Sequence, residues 1–144
     1  MSAKFFVDTN ILVYAHDRSA GRKHQRAKAL VEELWNSGEG VLSTQVLQEL
    51  CINLRRKVTP PLPIDETRRL LQDYLAWQVV ALSPEAVVQA LDMESRYKIS
   101  FWDALIIHAA DVAGATTLYS EDLSDRQKFG TLRVVNPFSG DAQR

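Results

Sequence analysis

The chain carries one cysteine, Cys51, among 144 residues, so it can form no internal disulfide and no cysteine-rich zinc site. Histidine is nearly as sparse. The three present, His16, His24 and His108, are scattered along the chain, which speaks against a histidine-based acid–base mechanism and leaves no Ser-His-Asp layout. No apolar run approaches the roughly 18 residues of a membrane helix. Near the N-terminus, Asp8 and Asn10 interrupt the chain before the apolar stretch of a signal peptide can form. A P-loop lysine motif is missing, as are repeats, low-complexity segments and long linkers. Neither charge dominates: 17 Lys and Arg stand against 18 Asp and Glu, a formal net charge of −1. That balance argues against broad, charge-driven coating of nucleic acid but leaves room for a local basic patch beside an acidic site. The expectation is a cytoplasmic protein with no membrane attachment.

What is present suits one globular domain over residues 1–144, with 46% hydrophobic and 24% charged residues. Phe5, Phe6 and Val7 read as a strand buried on both faces, because the run does not alternate apolar and polar. It ends abruptly in Asp8-Thr9-Asn10. A short helix follows over Ile11 to His16, then a polar loop over Asp17 to His24 that contains Gly21. Gln25 to Asn36 reads as a helix with Gly38 near its end. Val41-Leu42 is a short strand. Ser43 or Thr44 can cap the next helix, whose apolar stripe is Val46, Leu47, Leu50, Cys51 and Leu54. Pro60, Pro61 and Pro63 break the chain after it.

Further on, a helix from about Asp65 to Trp77 precedes a strand over Val79 to Leu82. Ser83-Pro84 opens a helix running to about Lys98. Ser100 caps another that ends near Gly114. Thr117-Leu118-Tyr119 is a strand that delivers Ser120-Glu121-Asp122 at its C-terminal end, and Leu132 to Val135 is the last strand. Strands that alternate with helices imply an α/β fold, a mostly parallel sheet covered by helices on both faces, with the middle helices forming a small arm.

Asp8, Glu49, Asp103 and Asp122 stand at comparable junctions of this pattern. Two close strands and two lie in the first turns of helices. Ligands in open α/β sheets bind at the C-terminal strand edge, where Asp8 falls. Gathered there, unpaired carboxylates would repel and their pKa values would rise; a divalent cation relieves that repulsion. Oxygen-only ligands favour Mg²⁺ or Mn²⁺ over Zn²⁺. Such an ion can activate water and stabilise charge on a phosphoryl oxygen.

These motifs resemble the PIN-domain ribonucleases of the VapC toxin type. The matching residues are Asp8-Thr9-Asn10, Glu49 within Gln48-Glu49-Leu50, Phe101-Trp102-Asp103-Ala104-Leu105-Ile106, and Leu118-Tyr119-Ser120-Glu121-Asp122-Leu123 with the Gly130 to Phe138 tail behind it. The resemblance spans nearly the whole chain. It implies a PIN-like three-layer fold and a metal-dependent endoribonuclease that leaves 5′-phosphate and 3′-hydroxyl ends. Asp8, Glu49, Asp103 and Asp122 carry over as the acidic quartet, Asp8 and Asp103 foremost as metal ligands, with Thr9, Asn10 and Ser120 in support. It further implies a small cognate antitoxin and a homodimer, and an acidic groove suits an inserted arginine.

Each residue also has a plainer reading. Asp8-Thr9-Asn10 can be a capping turn, Glu49 a solvated helix residue, and Ser100 to Asp103 a capping box. Glu121 or Asp125 can take the place of Asp122. Asp111 lies eight residues beyond Asp103, about 12 Å along a helix, and is left out of the site. Arg22 and Lys23, or Arg55 and Arg56, can grip RNA phosphates, or can be solvated helix ends. Trp102 can stack a base, although core packing is the stronger expectation. Two other functions compete. An aspartate-based phosphotransfer domain would use Asp8 as acceptor, but its pattern wants a second aspartate where Asn10 stands. An inactive PIN-like binding module would need none of the acids.

Overall fold

A computed structural model describes residues 3–139. In chain order the elements are β1 (Phe5–Val7), α1 (Thr9–Ala15), a 3-10 turn (Arg18–Ala20), α2 (Arg22–Ser37), β2 (Gly40–Ser43), α3 (Thr44–Arg56), α4 (Ile64–Tyr74), β3 (Gln78–Val80), α5 (Glu85–Tyr97), α6 (Phe101–Val112), β4 (Thr117–Tyr119), β5 (Lys128–Phe129) and β6 (Leu132–Val135). Among the described residues the strands form one sheet in the order β3-β2-β1-β4-β6-β5. Every pairing is parallel except that of β5 with β6.

This order sets where a site can form. The chain steps from β1 outward to β2 and β3, then returns to lay β4 on the other side of β1. Right-handed crossovers therefore put α1 to α4 on one face and α5 and α6 on the other. The result is the expected three-layer α/β fold. The strand order reverses between β1 and β4, and crevices at such points bind ligands. Phe5 pairs with Thr117 and Val7 with Tyr119, so Asp8 and Ser120 leave the sheet side by side.

Phe6, Leu42, Leu118 and Val134 are fully buried on the strands, as are Ile11, Leu12 and Leu50 on the covering helices. Trp77 packs closely against β2 at Gly40. A Cβ added at Gly40 would sit 2.5 Å from its ring atoms, so only glycine admits the indole there. No helix among the described residues is long and apolar enough to cross a membrane.

Some boundaries differ from expectation, for physical reasons. Helix α1 starts at Thr9 rather than Ile11, because Asp8 itself caps it. Helix α2 starts at Arg22, inside the predicted loop. Its N-cap is Gly21 with no side-chain bond, and basic residues in a first turn oppose the helix dipole, so no local signal marks the start. Its buried Ala27, Leu30, Val31 and Leu34 hold it instead. Strand β3 sits one residue earlier and stops at Val80. Strand β5 was not expected: Gly130, at φ +63°, turns Lys128–Phe129 back along β6 as a tight hairpin.

Candidate active site

The two strands that meet at the switch point deliver the first acid and its main partner. Asp8 is only 6% exposed. Its Oδ1 accepts from the Thr9 N–H at 2.7 Å, and its Oδ2 accepts from the Ser120 hydroxyl at 2.9 Å. Both bonds favour the carboxylate. Burial outweighs them and, with Asp122 and Asp103 nearby, pushes the Asp8 pKa up to about 6.

Neighbouring residues aim the other acids. The Thr9 hydroxyl donates to Glu49 Oε1 at 2.5 Å, and Gln45, one turn earlier on α3, donates to Oε2 at 3.3 Å. Asn10 Nδ2 donates to Asp122 Oδ2 at 3.0 Å, while the Asp122 N–H reaches Ser120 Oγ at 3.3 Å. Ser120 thus bridges Asp8 and Asp122. Ser100 caps α6 by accepting from the Asp103 N–H at 3.0 Å, which roots Asp103 in the first helical turn. Burial raises the Asp122 pKa first, and the charges of Asp103, Glu121 and Glu49 raise it further.

Asp8, Glu49, Asp103 and Asp122 line one cavity of about 550 Å³, together with Thr9 and Asn10. Glu121 does not reach it. Its carboxylate accepts from the Tyr14 hydroxyl and pairs with Lys23 at 2.6 Å, and that ammonium also lies over the rings of Tyr14 and Phe138. Asp125 is likewise turned aside, accepting from the Asn136 N–H at 2.8 Å. Asp111 is exposed outside the cavity.

The basic candidates separate. Lys23 is engaged by Glu121, whose hydrogen bond raises its pKa, and Arg22 begins the same helix. Arg55 and Arg56 end α3 as exposed residues outside the cavity lining, while the next residue, Lys57, lines it. Trp102 departs from the expected core packing: it is 62% exposed and lines the cavity. Its neighbours Ala104, Leu105, Ile106 and Ile107 are buried instead. Gln45, Gln48, Ile52 and Asn53 complete the α3 wall. Sequence reading passed over them, although their spacing from Glu49 places them along one helical face.

The donor set suits a divalent cation. The cavity lining holds oxygen ligands and neither histidine nor cysteine. Among the described residues no three acidic, histidine or cysteine side chains close into a compact metal cage. The charge coupling among the acids nevertheless spans the cavity. An ion that keeps several of its waters fits such a spacing. Phosphotransfer to Asp8 fits less well, since the position two residues on holds Asn10, whose amide donates to Asp122 where that chemistry wants a second carboxylate.

The model of the PIN domain family matches residues 5–126. Among solved structures, the chain is similar to VapC20 of Mycobacterium tuberculosis, described as a sarcin–ricin-loop-cleaving toxin. The TM-score is 0.63 at 21% identity, over 81% of this chain and 88% of that one. It is also similar to a toxin–antitoxin complex from Klebsiella pneumoniae, with a TM-score of 0.67 at 22% identity, over 95% of this chain and 98% of that one. At such identities the likeness is one of fold. No curated protein matches the chain in sequence.

Proposed function

This chain belongs to the PIN domain family, and on that premise we propose that it is a metal-dependent endoribonuclease, the toxin of a type II toxin–antitoxin pair. One observation carries the reading: Asp8, Glu49, Asp103 and Asp122, far apart in sequence, face one cavity at the switch point of the sheet. A buried carboxylate pushed up to about 6 by burial and by neighbouring carboxylates is a group waiting for a cation.

Asp8 and Asp103, with Glu49 and Asp122, are the residues to hold Mg²⁺ or Mn²⁺. When bound, the ion supplies positive charge that acidifies water and steadies phosphoryl oxygens. The chain's own groups do the positioning. Ser120 and the Thr9 N–H orient Asp8, the Thr9 hydroxyl and Gln45 orient Glu49, and Asn10 orients Asp122. Lys57 is the cation on the cavity lining that can meet a substrate phosphate.

RNA as substrate and a small antitoxin as partner draw support from the two toxin structures that share the fold. An acidic cavity of this kind accepts an inserted arginine. A homodimer is part of the same reading. Val88 and Leu91 are each more than half exposed on α5, an apolar patch that a second copy can cover. The cytoplasm, where RNA and antitoxin meet, is the compartment this reading assigns.

The test is cleavage of total RNA by protein refolded free of any bound partner, with Mg²⁺, with Mn²⁺ and with EDTA, beside Asp8→Asn. Cutting that needs the ion and vanishes in the variant supports the reading. Full activity in a clean Asp8→Asn preparation, or no cutting by the metal-loaded wild type, overturns it in favour of an inactive binding module.

A further inference from the structure

We propose that Trp102 is a stacking platform for an unpaired base of single-stranded RNA, and that the groove between α3 and α6 is the base subsite of the acidic cavity. The inference deepens the nuclease reading and rests on it. Trp102 stands beside Asp103 on the first turn of α6. It lines the acidic cavity and also a neighbouring hollow of about 340 Å³ that continues past Leu105 and Val87. At 62% exposure its indole has no core role, in contrast to Trp77 at 8%. Its root is nonetheless held: Phe101 meets the ring edge-on at 5.3 Å between centroids, and Gln45 Nε2 lies 3.5 Å from the Trp102 carbonyl oxygen.

The facing wall suits a base better than a phosphate. Helix α3 presents Gln45, Gln48 and Asn53 to the cavity, with Ile52 among them. Neutral amides carry both donors and acceptors, which is what a base edge needs. One lysine, Lys57, lines the cavity against four carboxylates, so its side chains by themselves offer a phosphate chain little grip. An aromatic face is indifferent to charge and to base identity, but it can meet only a base that is not already stacked in a duplex.

An apolar helix fits another place better. The groove between α3 and α4 is walled by Leu47, Ile64, Leu71 and Leu75, an apolar surface of the kind that suits a helix. The Trp102 groove carries the amide side chains of Gln45 and Gln48 and is continuous with the acids.

The test is binding of 12-nucleotide oligoadenylate, oligouridylate and an abasic ribose-phosphate strand to full-length protein in Mg²⁺. An Asp8→Asn background keeps the strands intact. We expect the base-bearing strands to quench tryptophan fluorescence and to bind more tightly than the abasic strand. Trp102→Ala should weaken the base-bearing strands roughly 5- to 150-fold and leave the abasic strand unchanged, as loss of one stack predicts. Trp102→Phe should keep most of the affinity and lose the quenching. Equal affinities in Trp102→Ala and its parent overturn the inference. So does a change in sedimentation mass without a change in base preference, which would assign Trp102 to a protein contact. RNA binding with quenching but no cutting by the wild type would leave the stack standing and remove the nuclease. Cutting with base preference unaltered by Trp102→Ala would do the reverse.

Discussion

Asp8→Asn is expected to make the metal-free protein more stable while it removes activity. Moving the Asp8 pKa from 3.8 to about 6 means that ionising it costs more in the folded chain than in the unfolded one. At 1.36 kcal/mol per pH unit, that difference is about 3 kcal/mol once both states are ionised. Asparagine keeps the oxygen that the Thr9 N–H uses. It presents an NH₂ where Ser120 now donates, and losing that bond returns roughly 1 kcal/mol. A net gain of about 2 kcal/mol remains, or about 4 to 8 °C in Tm for a domain of this size.

The sign with pH is definite. The folded-state pKa of an acid is raised here, so the penalty is absent below 3.8, grows between 3.8 and about 6, and is complete above that. Thermal or urea unfolding in EDTA should show the variant ahead at pH 7 and level with or behind the wild type at pH 4. Adding Mg²⁺ should then raise the wild type more than the variant, since an ion that binds only the folded state stabilises by mass action. A variant less stable than the wild type at pH 7 in EDTA, or an advantage that does not shrink on acidification, would refute the reasoning.

Other expectations follow from single contacts. Asp122→Asn should abolish RNA cleavage while Glu121→Gln keeps it within a few-fold, because Tyr14 and Lys23 hold Glu121 away from the cavity; equal losses in the same cleavage assay would undo that distinction. Gly40→Ala should drive its new methyl into the Trp77 ring and cost about 1 to 3 kcal/mol in urea denaturation. Burial lowers the His16 pKa, and the ring bonds to the Tyr74 hydroxyl at 2.7 Å. Its contribution is therefore fully present above pH 6.5 and lost as pH falls through the lower folded value. His16→Gln should flatten that part of the stability curve, and an unchanged slope would count against it.

The architecture was legible because its strands are short apolar runs with turn residues at their ends. Phe5–Val7 and Thr117–Tyr119 needed no tertiary information. Helix α2 shows the opposite case: its start at Arg22 has no cap and carries charges of the wrong sign, and it stands through packing on α1 and the Lys23–Glu121 pair. Strand β5 is only two residues long, and its one signal was Gly130. For the site, residue type and position pointed to the acids, but not to the orientation of their neighbours. Whether Glu121 or Asp122 turns inward depends on Tyr14 and Lys23, more than ninety residues away along the chain. The exposure of Trp102 was equally hidden, since an aromatic beside an apolar helix face reads as core until the helix is rotated into place.

At Asp8 and Asp103 a place in a helix cap coincides with a place on the acidic cavity. Asp8 uses one oxygen to start α1 and the other to hold Ser120, and by both it is fixed at the strand end. Ser100 starts α6 by taking the Asp103 N–H, so the cap sets the helix phase that puts Asp103 on the cavity and Ala104 in the core. The bonds that begin these helices therefore also set the separation of the acids. A substitution that weakens the Ser100 cap should shift Asp103 before it unfolds the domain. Ser100→Ala, worth about 1 kcal/mol as a lost cap, is the case in which metal affinity should fall further than stability.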